Sequence, residues 1–71
     1  DIRLIHSDDV AKYLRKTKIE YLKKQFANKK KFVTITYRRK EGDGYKRITL
    51  EIIPEDENSQ NIYEGFLYVK E

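Results

Sequence analysis

Cysteine is missing from this 71-residue chain, and histidine occurs once, as His6. The first absence excludes disulfide staples and thiolate zinc sites, and a single imidazole cannot build an all-protein transition-metal site. No apolar run approaches the ~18 residues that a bilayer span needs, and the amino terminus lacks the pattern of a secretory signal. A chain without cysteine fits a reducing compartment, so a cytoplasmic location is expected. No initiator Met precedes Asp1, and the chain opens on the apolar residues Ile2 and Leu4; the expectation is a piece of a longer protein. A domain of about 60 residues buries only about 60% of its unfolded surface, so it relies on disulfides, metals or association. With the first two removed, association is left.

What is present is clustered. Hydrophobic residues make up 38% and charged residues 39%, with a net charge of +4, a mildly basic balance. His6-Ser7-Asp8-Asp9 reads as a helix start, with Ser7 as N-cap and two carboxylates where the helix dipole favours them. Val10, Tyr13 and Leu14 follow at helical spacing, which predicts a helix over about 8–16. Thr17 and Glu20 have the spacing of a capping box. Ile19, Leu22 and Phe26 then mark an apolar stripe, so a second helix is expected over about 18–28, with Asn28 taking the left-handed stop.

From Phe32 the hydrophobic period changes to two. Val33, Ile35 and Tyr37 share one face, Phe32, Thr34, Thr36 and Arg38 the other, and a strand is predicted over about 32–39. Arg39 to Gly44 is a polar turn with two glycines, a hairpin signal. The second strand, over about 45–53, sets Ile48, Leu50 and Ile52 against Tyr45, Arg47, Thr49 and Glu51, and Pro54 ends it by removing a ladder donor. Glu55 to Asn61 is polar and acidic. A third strand is predicted over about 62–70, with Tyr63, Leu67 and Val69 on one face, Ile62, Phe66 and Tyr68 on the other, and a bulge at Gly65. Residues 1–71 thus read as a single partial α+β domain, one or two short helices packed on a three-stranded antiparallel meander. The inward face is expected to carry Val33, Ile35, Ile48, Leu50, Ile52, Leu67 and Val69.

Three segments carry a resemblance: Ile5-His6-Ser7-Asp8-Asp9, the run Tyr37-Arg38-Arg39-Lys40-Glu41-Gly42-Asp43-Gly44-Tyr45-Lys46-Arg47-Ile48, and Tyr63 to Glu71. In this order they resemble the I-H-P-D-D helix opening, the Y-R-x-x-x-x-G-x-x-x-W-V hairpin and the last strand of the carboxy-terminal half of PAS sensor domains, the PAC motif. Ser7 stands where that family usually has proline, and Arg47 where it often has tryptophan. The spacing is most similar to PAS modules joined to bacterial diguanylate cyclases. The resemblance implies a non-catalytic sensor or dimerisation module of a signalling protein, with the last strand leading to a downstream effector such as a cyclase, phosphodiesterase or histidine kinase. It names no cofactor. It also implies missing upstream strands and helices, and hence a homo-oligomer formed through an exposed sheet face or edge.

Candidate ligand- or interface-facing sheet residues are Tyr37, Tyr45, Arg47, Phe66 and Tyr68. Tyr13, Tyr21, Tyr45 and Tyr68 are candidates for lining a small pocket, against the simpler reading of core tyrosines with wet hydroxyls. Lys29, Lys30, Lys31, Arg38 and Arg39 form a candidate basic patch, with Lys23, Lys24 and Lys40 beside it. Basic residues interleaved with aromatics suit phosphate contact and base stacking, so the alternative function is a small nucleic-acid-binding domain; a solvated lysine face is the simpler account. His6 reads as helix-boundary packing or capping, and the adjacent Asp8 and Asp9 as dipole complements, because a hydrolytic pair needs convergence across a cleft. No phosphate loop, nucleophile constellation or metal-ligand spacing is present in the sequence.

Overall fold

The structure, a computed structural model, describes residues 2–54 and the backbone of 66–68. Its architecture is α+β: a 3-10 turn (Ile2–Leu4), two helices, α1 (Ser7–Thr17) and α2 (Ile19–Ala27), and a sheet built on the antiparallel hairpin of β1 (Val33–Glu41) and β2 (Gly44–Pro54). A short strand, β3 (Phe66–Tyr68), pairs antiparallel with Ile52–Pro54, giving the order β1-β2-β3. The rest of the strand expected over 62–70 lies outside the described residues. So do the expectations for Ile62, Tyr63, Gly65 and Val69 and those for the side chains of Phe66, Leu67 and Tyr68.

The helix ends depart from the sequence reading in three places. The N-cap of α1 is His6, one residue before Ser7, and its Nδ1 accepts the Asp8 backbone N–H at 3.1 Å. No capping box forms between Thr17 and Glu20. Thr17 belongs to the last turn of α1, where its hydroxyl donates back to the Tyr13 carbonyl at 2.8 Å; the break falls on Lys18 alone, whose extended backbone (φ −66°, ψ 138°) caps α2 without a side-chain bond. Back-bonding of this kind competes with N-capping for the same hydroxyl. The left-handed residue after α2 is Lys29 (φ 70°), not Asn28 (φ −86°). Asn28 still closes the helix with its own N–H, which donates to the carbonyls of Lys24 and Gln25.

The hairpin keeps the predicted alternation and extends further. Val33 faces Ile52, Ile35 faces Leu50 and Tyr37 faces Ile48 on one side; Thr34, Thr36 and Arg38 face Glu51, Thr49 and Arg47 on the other. Pairing continues to Glu41 and Gly44, so the turn narrows to Gly42 and Asp43. Of these two, Gly42 has a positive φ, 58°, and Asp43 does not, the signature of a type II′ turn whose twist matches that of the strands.

Both helices lie on the Val33–Ile35–Tyr37 side. Among the described residues the core comprises Ile5, Leu22, Val33, Ile35, Tyr37, Ile48 and Ile52, with Val10, Tyr13, Ile19, Tyr21, Phe26 and Leu50 packed around it. Leu22 and Ile35 are fully enclosed, each contributing roughly 1.5–3 kcal/mol of apolar burial. Leu50 was expected inside and is only half-buried. The Tyr13 ring meets Tyr37 nearly edge-on at 5.0 Å, an arrangement the ring quadrupoles favour. Leu14, grouped in the sequence with Val10 and Tyr13, is 42% exposed. At about 100° per residue, turning Asp9, Tyr13 and Thr17 towards the sheet rotates Leu14 to the flank.

Candidate functional site

The densest polar constellation among the described residues joins the start of α1 to the outer edge of β1. Ile5 forms a bridge with Arg39, and the His6 N–H donates to the Arg38 carbonyl at 2.8 Å. One turn later, Asp9 extends its carboxylate over the same strand residue. Its Oδ2 accepts the Arg38 backbone N–H at 2.8 Å and Nε–H at 2.9 Å, and its Oδ1 accepts the far guanidinium nitrogen at 3.0 Å. Arg38 is therefore held by its carbonyl, its amide and both arms of its side chain. Beside it the His6 ring packs against Tyr45 at 4.7 Å.

The electrostatics follow from this geometry. The Arg38 guanidinium, then its backbone N–H, hold the Asp9 carboxyl well below the usual carboxylate range, against the opposing effect of burial; Lys12 adds a smaller favourable field. Asp9 in turn raises Arg38 above its ordinary value. A carboxylate kept ionised and bonded to three donors has no basicity to lend to a reaction. The constellation positions α1 on the sheet. It also explains how Arg38 and Arg47 stand directly opposite each other, a pairing that costs energy when both charges are bare.

Further along, the same strand edge is met by the other end of α1. Lys16 Nζ donates to the Thr34 carbonyl at 3.1 Å. Next to this contact an open cleft of about 200 Å³ is lined by Lys16, Tyr21, Gln25, Lys30, Phe32 and Thr34, with Val33 at its base.

The predicted site residues do not form one surface. Tyr37 is a correction: it lies under Tyr13 on the helix side, 9% exposed, because its position in β1 gives it the parity of Val33 and Ile35. Tyr45 and Arg47 are exposed on the opposite face. Phe66 and Tyr68 have side chains outside the described residues. The basic patch is likewise divided. Lys29, Lys30 and Lys31 are exposed at the α2–β1 link, whereas Arg38 and Arg39 lie near the turn end of β1, beyond about 17 Å of strand from Val33 to Arg38. Arg38 is bound to Asp9, and Arg39 is half-buried. The tyrosines are dispersed too: Tyr13 meets Tyr37, Tyr21 lines the cleft and Tyr45 meets His6. His6 takes a helix-boundary role, as expected for it, but as the N-cap where Ser7 was expected. Asp8 stays exposed in the first turn, where the dipole account holds; Asp9 has a partner 29 residues away that the account did not supply.

Among the described residues no group of three or more His, Asp or Glu side chains is placed to hold a metal ion, and no helix is long and apolar enough to cross a membrane. No protein-family model matches the chain, and no curated protein or solved structure matches it.

Proposed function

We propose that this chain is the carboxy-terminal half of a PAS-like domain, a non-catalytic sensor and dimerisation module of a cytoplasmic signalling protein. In this reading the sheet is completed as a three-stranded meander, and its last strand passes the signal to a downstream effector, a diguanylate cyclase, phosphodiesterase or histidine kinase. The observation that carries the reading is the Asp9–Arg38 pair. It couples the two segments that resemble the family, the helix opening at Ile5–Asp9 and the hairpin from Tyr37 to Ile48, through three hydrogen bonds.

The association half of the proposal has a direct test. Contacts from α1 occupy the outer edge of β1, so self-association would use the sheet face bearing Thr36, Tyr45, Arg47 and Thr49, or the β3 side. Sedimentation equilibrium across a concentration series is expected to show a reversible dimer, weakened by Thr49→Lys on that face. A chain that stays monomeric up to about millimolar concentration, where ΔG of association is near −4 kcal/mol, defeats the dimerisation role.

A further inference from the structure

The cleft between the end of α1, α2 and the start of β1 is not used by the Asp9–Arg38 clamp. Its lining combines two ammonium groups, Lys16 and Lys30, with two aromatic rings, Tyr21 and Phe32, and among the described residues includes no carboxylate. Lys29 and Lys31 flank it in sequence and are exposed. Glu51 pairs with Thr34 from the far side of β1 and does not line the cleft. Phe32 is 52% exposed, a ring displayed at the mouth instead of buried in the core. Lys16 has given one N–H to the Thr34 carbonyl, which fixes its ammonium at the rim with two donors left.

We propose that this cleft binds single-stranded nucleic acid, one base stacking on Phe32 while the adjoining phosphates contact Lys16 and Lys30. Charge complementarity specifies an anionic occupant, and the ring specifies a flat, π-faced one; a nucleotide unit has both properties. Pockets that hold free small molecules usually enclose about 300–1,000 Å³, more than this cleft, so its occupant is held in part by contacts outside it, as a strand running past Lys29 and Lys31 would be. The proposal stands independently of the sensor reading.

Fluorescence anisotropy with a labelled oligothymidylate of about 15 nucleotides tests it at salt from about 50 to 200 mM. The expected result is a Kd of order 10⁻⁵ M at the low end, with a log–log salt slope of about −0.7 per phosphate contacted. Lys30→Gln should reduce the steepness of that slope by about 0.7. Phe32→Ala should weaken binding at least about fivefold, since each stacked base contributes that much or more, and Phe32→Tyr should retain it. Lys46→Gln, at the turn end of the hairpin, serves as the control and should leave binding unchanged. All three positions are exposed, and circular dichroism checks that each of the four variants is folded. Absence of salt-dependent binding at about 50 mM overturns the proposal. So does binding that Lys46→Gln weakens as much as Lys30→Gln and that Phe32→Ala leaves intact, which would reveal diffuse charge. Capture on phosphatidylserine vesicles without any oligonucleotide binding would assign the cleft to a membrane surface instead and equally overturns it.

Discussion

Asp9 and Arg38 show how much can depend on one ion pair in a small chain. The pair is bidentate, and the Arg38 backbone N–H adds a third bond to the same carboxylate. Charge-assisted bonds of this kind are about twice as strong as neutral ones. Because the Asp9 carboxyl is depressed in the folded state, its stabilisation is fully present above the ordinary aspartate range, near pH 4. It is lost as pH falls towards the folded-state value. Asp9→Asn keeps the shape and removes the charge. Urea denaturation should show a lower midpoint for the variant, by an amount that is constant from about pH 6 to 8 and shrinks below about pH 4. An equal deficit at pH 3 and pH 7 would mean that the ionised carboxylate is not the source. Neither residue advertises this partnership in the sequence. Asp9 reads as an ordinary first-turn carboxylate and Arg38 as one more cation in a basic stretch, because a contact spanning 29 residues leaves no periodic trace.

Elements were more legible than residues where a single physical rule decides them. Alternation from Val33 to Ile52 fixes the hairpin, since a slip of one residue would turn Ile48 and Ile52 to the face opposite Val33 and Ile35. The helix ends were less so, because several side chains compete for the same few backbone donors. His6 took the cap that Ser7 could have supplied, and Thr17 turned back into α1 instead of capping α2. Two backbone conformations make opposite predictions. Gly42 has φ 58° with open space where a Cβ would stand, so Gly42→Ala meets only the backbone penalty, about 1–2 kcal/mol. Lys29 already bears that penalty at φ 70°; Lys29→Gly should relieve it and, after the entropy Gly adds to the unfolded chain, stabilise by about 0.5–1 kcal/mol. Thermal unfolding of both variants checks the signs: a stabilising Gly42→Ala or a destabilising Lys29→Gly contradicts these backbone angles.

At the scale of the whole molecule, the seven buried apolar residues of the core among the described residues have little in reserve. A core in a chain of about 70 residues rarely supplies more than about 3–5 kcal/mol of net stability, and truncating a buried isoleucine removes about 2–5 kcal/mol. Ile35→Ala, at the fully enclosed centre of β1, should therefore abolish a cooperative melting transition, whereas Leu14→Ala on the exposed flank of α1 should shift it only slightly. A cooperative Ile35→Ala variant would indicate stability from another source, association first among them. The sequence disclosed this core well for the hairpin and poorly for Ile5 and Tyr37. Ile5 is buried only because the segment before α1 docks on Arg39. Tyr37 was set apart as a site residue although its parity placed it inside.

One consequence of the way α1 lies along β1 concerns growth. The carbonyls of Thr34 and Arg38 and the amide of Arg38 already have partners from the segment Ile5–Lys16, so those groups are not open to pair with a further strand. Edge-to-edge recruitment along this margin of β1 is therefore opposed where α1 already holds its backbone groups.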